Sequence, residues 1–266
     1  MIETTNITGR KIREYLATGK RFDGRKPEEF RDLIIETGVS KNAEGSARVK
    51  LGKTEVVVGV KLGVTAPYDD SPSDGNLMVT SELLPLSSPR FEGGPPKFPS
   101  IELGRLIDRG IRESKFIQLD KLCIKEGEKV WNVFIDIYSI NDDGNLLDAA
   151  GIGAVVALKA AKIPKYDEET GKVLFGELTD ENVPLSDNTP VSITVHKIGK
   201  SLFVDPTLEE EDISETRITN AGFGDRIYSM QKGNKGILTE EELDKVFELS
   251  IKARKDILAK IDKAIK

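Results

Sequence analysis

Residues 129–141, KVWNVFIDIYSIN, alternate strictly: Trp131, Val133, Ile135, Ile137 and Ser139 fall on one side, Asn132, Phe134, Asp136, Tyr138 and Ile140 on the other. Side chains of an extended chain repeat every second residue, so this pattern predicts a strand with one face apolar for most of its length. The valine-rich run SARVKLGKTEVVVGVKLGV (46–64) reads as two strands joined at Gly52–Lys53, and NLMVTSELLPL (76–86) as another. Helical spacing appears elsewhere. TGRKIREYLATGK (8–20) reads as a short helix ended by Gly19, and IELGRLIDRGIRESK (101–115) as a helix capped by Ser100. GNLLDAAGIGAVVALKAAKI (144–163) is rich in Ala and Gly, as expected of a helix that lets its neighbours approach closely. At the end, Thr239 and Glu242 form a capping box. Leu243, Val246, Phe247, Ser250, Ile251 and Arg254 then recur at helical spacing, continued by Ile257, Leu258, Ile261 and Ile265. One long amphipathic helix closes the chain.

The segment 164–190 is polar and carries three prolines and two glycines, which marks a boundary holding a short hairpin. Beyond it, VSITVHKIGKSLFVDPT (191–207) reads as a strand pair turned at Gly199, and TRITNAGFG and RIYSMQKGNKG add short strands. The expected class is therefore α/β (α+β): mixed sheets packed with helices, one domain over 1–165, a second over 190–266, and 166–189 connecting them.

Composition narrows the chemistry. The chain has 266 residues and a net charge of −6, so any contact with nucleic acid needs a local basic patch. Cys123 is the only cysteine, which excludes an intramolecular disulfide and a Cys-rich zinc site. His196 is the only histidine and lies in a strand-like run, where a structural role is expected. No stretch approaches the roughly 20 apolar residues of a membrane helix, and MIETTNITGRKIREYL has no apolar signal core. A cytoplasmic protein without membrane partners is expected.

Three stretches invite a chemical reading. DPTLEEEDISETR (205–217) packs Asp205, Glu209, Glu210, Glu211, Asp212 and Glu215 into thirteen positions, either as a metal or acid–base site or as a solvated loop. FEGGPPKF has glycines, but its prolines remove the amide donors that a phosphate cradle needs. DDGNLLD (142–148) resembles half of a calcium loop without the distal Glu, and reads better as a turn before a helix. On the helix 101–115, Arg105, Arg109 and Arg112 stand at i, i+4 and i+7, within an arc of roughly 60° and roughly 10 Å of axis. Such a stripe can meet successive phosphates of a single strand. Glu102, Asp108 and Glu113 are also close enough to neutralise it as surface pairs.

RFDGRKPEEFR (21–31) resembles the N-terminal signature of the RNase PH family, Arg-x-Asp-Gly-Arg leading into the first strand. GSARVKLGKTEVVVGVK, GNLMVTSELLPLSSPRFEGGPP, IELGRLIDRGIRES and VWNVFIDIYSINDDGNLLDAAGIGAVVAL follow in the family's order, then the acidic segment and the final helix. The resemblance covers nearly the whole chain and implies an RNase PH-like two-domain fold. Within the family the likeness is to the non-catalytic RNase PH-like subunits of archaeal exosome rings. Active members degrade RNA from the 3′ end with inorganic phosphate as the attacking group, and this chain departs from them at three places. An arginine pair before the 101–115 helix is matched by Phe98 and Pro99. A Gly-Ser-Arg-type phosphate loop is matched by Gly144, Asn145 and Leu146, which deprives phosphate of a bidentate partner. The catalytic Asp, about twelve residues beyond the Asp of the acidic segment, is matched by Arg217, which cannot accept a proton.

The resemblance thus implies no catalytic residue and no metal or other cofactor of its own. The acids 205–215 become a solvated loop, with a weak metal site at Asp205 and Asp212 as the alternative. It also implies a catalytic RNase PH-like exosome subunit as partner, in a hetero-hexameric ring of three pairs, an RNA-binding cap protein, and single-stranded RNA met by Arg105, Arg109 and Arg112. The alternatives are a self-sufficient phosphorolytic exoribonuclease or nucleotidyltransferase, and a pure scaffold without RNA contact.

Overall fold

The computed structural model describes residues 4–265. Two sheets share a core. The first runs in the order β1 (Leu33–Thr37), β2 (Gly45–Leu51), β3 (Thr54–Thr65), β6 (Lys129–Asn141), β4 (Asn76–Leu83), with the short β5 (Cys123–Lys125) also on β6. β2 and β3 form the expected hairpin, and Gly52 supplies the left-handed backbone of its turn, φ 59°. The alternation along β6 emerges as read. Trp131, Val133, Ile135, Ile137 and Ser139 are all buried, and the last three face Val60, Val58 and Val56 of antiparallel β3. β4 runs parallel to β6, so the chain must cross over between them. α2 (Phe98–Glu113) is that crossover and packs back on β4.

α2 begins earlier than the sequence suggests. Lys97, not Ser100, is the capping position, and Pro99 sits in the first turn, where its missing N–H costs nothing. Ser100 is buried instead: its hydroxyl donates to the Ser81 carbonyl, while Ser81 Oγ donates to the Ser100 carbonyl at 2.7 Å. This exchange stitches α2 to β4.

α3 (Leu146–Lys159) is buried over most of its length. Its small residues permit close approach to the sheet. A Cβ on Gly153 would stand 2.7 Å from Val58 Cγ2, and one on Gly45 would stand 2.3 Å from the Ala157 carbonyl oxygen. Hairpin β7 (Lys162–Asp167) and β8 (Lys172–Asn182) follows, within the polar 164–190 stretch apart from its first two residues. The second sheet is antiparallel throughout, in the order β10 (Ser201–Val204), β9 (Val191–Ile198), β11 (Thr216–Phe223), β12 (Arg226–Gly233). α3 reaches this sheet too, with Gly151 against Ser192.

α5 (Glu240–Ile265) covers β9 and β11 with Val246, Ala253, Ile257 and Ile261. Its capping box is present, with Glu242 N bonded to Thr239 Oγ1 and Thr239 N to Glu242. Arg254, on the same helical face, is 1% exposed. Its guanidinium donates to Asn220 Oδ1 at 2.6 Å and to the Gly224 carbonyl at 2.9 Å, which makes its burial tolerable. α1 (Asn6–Ala17) buries Gly9, Ile12 and Leu16, with Ile12 and Leu16 in a small separate core with Ile198 and Phe203.

Candidate functional site

The three departures from the family pattern meet in one cleft of about 620 Å³. Phe98, Pro99 and Glu102 enter from the start of α2, Leu146 from the start of α3, Arg217 from β11 and Gln231 from β12. The cleft's centre is an ion pair. Glu102 takes Arg217 Nη2 at 2.6 Å on one oxygen and Gln231 Nε2 at 2.9 Å on the other. Both charged side chains are largely shielded, 13% and 14% exposed. Arg217 is therefore held by the helix that carries the arginine stripe, and Glu102 is withdrawn from that stripe.

The loop before α3 has no free anion cradle at Asn145. Gly144 (φ 86°) and Asn145 (φ 59°) take left-handed backbone, and a Cβ on Gly144 would stand 2.6 Å from Thr207 C, so glycine is required there. The Asn145 N–H points at Glu211 Oε2, 2.8 Å away. A carboxylate of the chain itself thus occupies the amide. Burial raises Glu211 above the ordinary carboxylate range, and the charge of Asp142 adds to it. Burial raises Asp142 as well.

The acidic segment is not a solvated loop. It contains a short helix, α4 (Leu208–Asp212), capped by Thr207 with Glu210 in a capping box. Asp205 is fully buried, and its carboxylate accepts from Arg25 Nη1 at 2.8 Å, Arg31 N and Nη2 at 2.7 Å each, and Asn145 Nδ2 at 2.9 Å. Glu210, also buried, accepts from Arg21 Nε at 3.0 Å. Arg21 further donates to the Val204 and Asp205 carbonyls. Burial alone would raise the Asp205 pKa; the hydrogen bond and charge of Arg31 outweigh it and hold the carboxyl below its ordinary value. Asp212 accepts from Arg90 and from Thr4 N and Oγ1. The alternative metal ligands, Asp205 and Asp212, thus already have cationic partners. Only Glu209, Asp212 and Glu215 of the six acids are exposed.

The RFDGRKPEEFR segment (21–31) accordingly works as a clasp. Arg21, Arg25 and Arg31 tie the chain's beginning to the acidic segment of its second half. The sequence offered only complementary charge as a signal for this, and a separation of 174 to 189 residues hides the pairing. Glu211, one of the six acids, and Asp142, which opens the DDGNLLD turn, also line the cleft, a placement that neither stretch signals by itself.

The arginine stripe is exposed, as its spacing requires, with Leu103, Leu106, Ile107 and Ile111 buried beneath it. Its members differ. Arg109 pairs with Glu113 at 3.2 Å, and Arg112 with Asp108 at 2.7 Å and with the Leu77 carbonyl at 3.1 Å. Arg105 makes no ion pair with any described residue. At the N-terminal end of the same helix, Phe98 and Ile101 are 73% and 57% exposed.

His196 is structural in its setting: buried, 1% exposed, with Nδ1 bonded to Ser214 Oγ at 3.0 Å. Burial first, and then the charges of Arg217 and Arg21, lower its pKa to about 3. The unfolded chain takes up this proton first, so neutral His196 supports the fold fully above an unfolded pKa of about 6.5, and that support declines as pH falls. Its ring Cε1–H signal in NMR is expected to keep one chemical shift from about pH 8 to pH 5; a titration midpoint near 6.5 would contradict the buried placement.

Comparison with known proteins places the fold. Residues 29–164 match the model of the 3′ exoribonuclease family, domain 1 (RNase PH), and residues 188–253 match its domain 2. The chain is 43% identical over 263 residues to the exosome complex component Rrp42 of Methanothermobacter thermautotrophicus, covering 97% of this chain and 96% of that one. It is 45% identical over 258 residues to the protein of the same name from Thermococcus kodakarensis, covering 96% and 94%. A chain in the structure of the Archaeoglobus fulgidus exosome with RNA bound to the active site superposes with a TM-score of 0.88 at 42% identity, over 96% of this chain and 98% of that chain. This chain belongs to the RNase PH-type 3′ exoribonuclease family.

Proposed function

We propose that the chain is a non-catalytic, RNA-guiding member of a cytoplasmic archaeal exosome, a phosphorolytic 3′-to-5′ exoribonuclease ring in which three such chains alternate with three catalytic RNase PH-like subunits beneath an RNA-binding cap. The observation that carries this reading is the Arg217–Glu102 pair at the centre of the cleft. A guanidinium held at 2.6 Å by a carboxylate accepts no proton, and Glu211 fills the amide that an attacking phosphate would need. With that amide and the Arg217 position both taken, the cleft offers an attacking phosphate neither a free donor there nor an unpaired carboxylate in place of Arg217, which supports the non-catalytic reading.

What remains for this chain is positioning. The exposed stripe Arg105, Arg109 and Arg112 offers sequence-independent contacts to phosphates of a single strand. Phe98 and Ile101, exposed on the same helix, favour a partner subunit seated beside the stripe. Only the channel wall then requires positive charge, which accommodates a net charge of −6.

The purified chain, given inorganic phosphate and single-stranded RNA, is expected to release no nucleoside diphosphates. Adding a catalytic RNase PH-like subunit is expected to yield a complex that does. Diphosphate release by the isolated chain would overturn the non-catalytic reading.

A further inference from the structure

α1 carries apolar side chains on two faces, and the fold buries one. Gly9, Ile12 and Leu16 face inward. Ile7, Lys11 and Tyr15 recur every four residues and so form a ridge roughly 12 Å long on another side. Ile7 is 65% exposed and Tyr15 48%, and Phe22, 51% exposed, extends the ridge with its ring edge-on to Tyr15, centroids 4.9 Å apart. The rings are pinned from below: Leu16 is buried, and the Arg21 side chain next to Phe22 is fully buried in its pair with Glu210. Lys11 stands exposed within the ridge, and exposed Arg10, Arg13 and Lys20 flank it. The acids nearby, Glu14 and Asp23, already pair with Arg10 and Arg25.

Charge decides what this ridge accepts. A second copy would set Lys11, Arg13 and Lys20 against themselves across a self-complementary contact. Single-stranded RNA would find two rings turned onto each other and an isoleucine that offers no stacking. An apolar groove rimmed by acidic side chains matches both the ridge and its border.

The position of α1 selects the partner. Thr4, just ahead of the helix, donates from N and Oγ1 to Asp212, which also holds Arg90, a residue of the cleft wall. The helix therefore starts at the rim of the cleft. We infer that the outer face of α1, Ile7, Lys11, Tyr15 and Phe22, docks the RNase PH-like subunit that neighbours this chain in the ring. This rests on the reading of the chain as a ring member.

The test uses the full chain co-purified with a catalytic RNase PH-like subunit. Amides of residues 7–22 are expected to exchange more slowly in the complex than in the free chain. Ile7→Glu with Tyr15→Glu, and separately Lys11→Glu with Lys20→Glu, are each expected to weaken the complex at least 10-fold with the melting temperature of the free chain unchanged. The lysine effect should fade in high salt, because exposed charges are screened, and the apolar effect should not. A complex that forms with 7–22 exchanging as in the free chain overturns the docking face and leaves the ring reading intact. Protection that appears only on adding a cap protein, RNA crosslinked to Tyr15, or a homodimer lost with Ile7→Glu each overturns it as well. Absence of any complex overturns both.

Discussion

Asp205→Ala is expected to lower the free energy of unfolding by about 3–5 kcal/mol, because it removes the carboxylate from a buried charge network and leaves its cations behind. Asp205 is fully buried and answers Arg25 and Arg31 at once. Arg31 has other acceptors, the carbonyls of Asp143 and Gly144, and Arg25 keeps Asp23 and the Glu29 carbonyl, but Arg25 Nη2 has no hydrogen-bond partner among the described residues even in the intact protein. At roughly 2–4 °C per kcal/mol for a chain somewhat smaller than this one, the melting temperature should fall on the order of 10 °C. Asp205→Asn removes the charge and keeps one acceptor oxygen, while its NH2 replaces the other with a donor, so it should fall between the two proteins. The same group gives the wild type an acid sensitivity. Its folded pKa is depressed, so its contribution is complete above an unfolded pKa of about 3.9 and is lost as pH falls through the lower folded value. Thermal melts of the three proteins at neutral pH and near pH 3 check this; an unchanged melting temperature for Asp205→Ala would mean that the clasp contributes no stability.

That clasp also marks where sequence reasoning stops. Period-two alternation laid out β6 residue by residue, and the Thr239–Glu242 box located the start of α5, because both depend on neighbours along the chain. Strand pairing at Gly52 and Gly199 was legible for the same reason: each turn needs φ near +60°. The acidic segment was not legible. Whether a carboxylate is solvated or buried depends on which cation the fold brings to it, and here the cations stand at the other end of the chain. Ser100 shows the same limit on a smaller scale. It has the composition of a cap, but Pro99 already opens the helix and the β4 backbone claims the hydroxyl. The altered positions Phe98, Pro99, Leu146 and Arg217 were found by resemblance alone, yet all four line one cleft. The sequence could not show that Glu102 would leave the arginine stripe to hold Arg217. That exchange ties the cleft to the unpaired state of Arg105 among the described residues, since the acid one turn-face away is already spent.

Replacing Arg105, Arg109 and Arg112 together with glutamate is expected to weaken RNA capture by the assembled ring and to flatten its salt dependence. Each phosphate contact to a single strand contributes about 0.7 to the slope of log K against log salt, so losing three should reduce the slope by about 2. The three are not equal. Arg109 and Arg112 must release Glu113 and Asp108 before they can serve a phosphate, and exposed pairs of this kind hold by about 0.3–0.5 kcal/mol. Arg112 also spends a donor on the Leu77 carbonyl. Arg105 has nothing to release. Arg105→Glu alone should therefore produce the largest single loss of affinity, with Arg109→Glu next and Arg112→Glu least. Affinities measured for the ring from about 50 to 200 mM salt, with the ring's mass checked for each variant, read both quantities. An unchanged slope for the triple variant would remove RNA from the face of α2 and leave the chain a scaffold, whereas equal losses from all three single variants would show that the intrahelical pairs exert no control over phosphate binding.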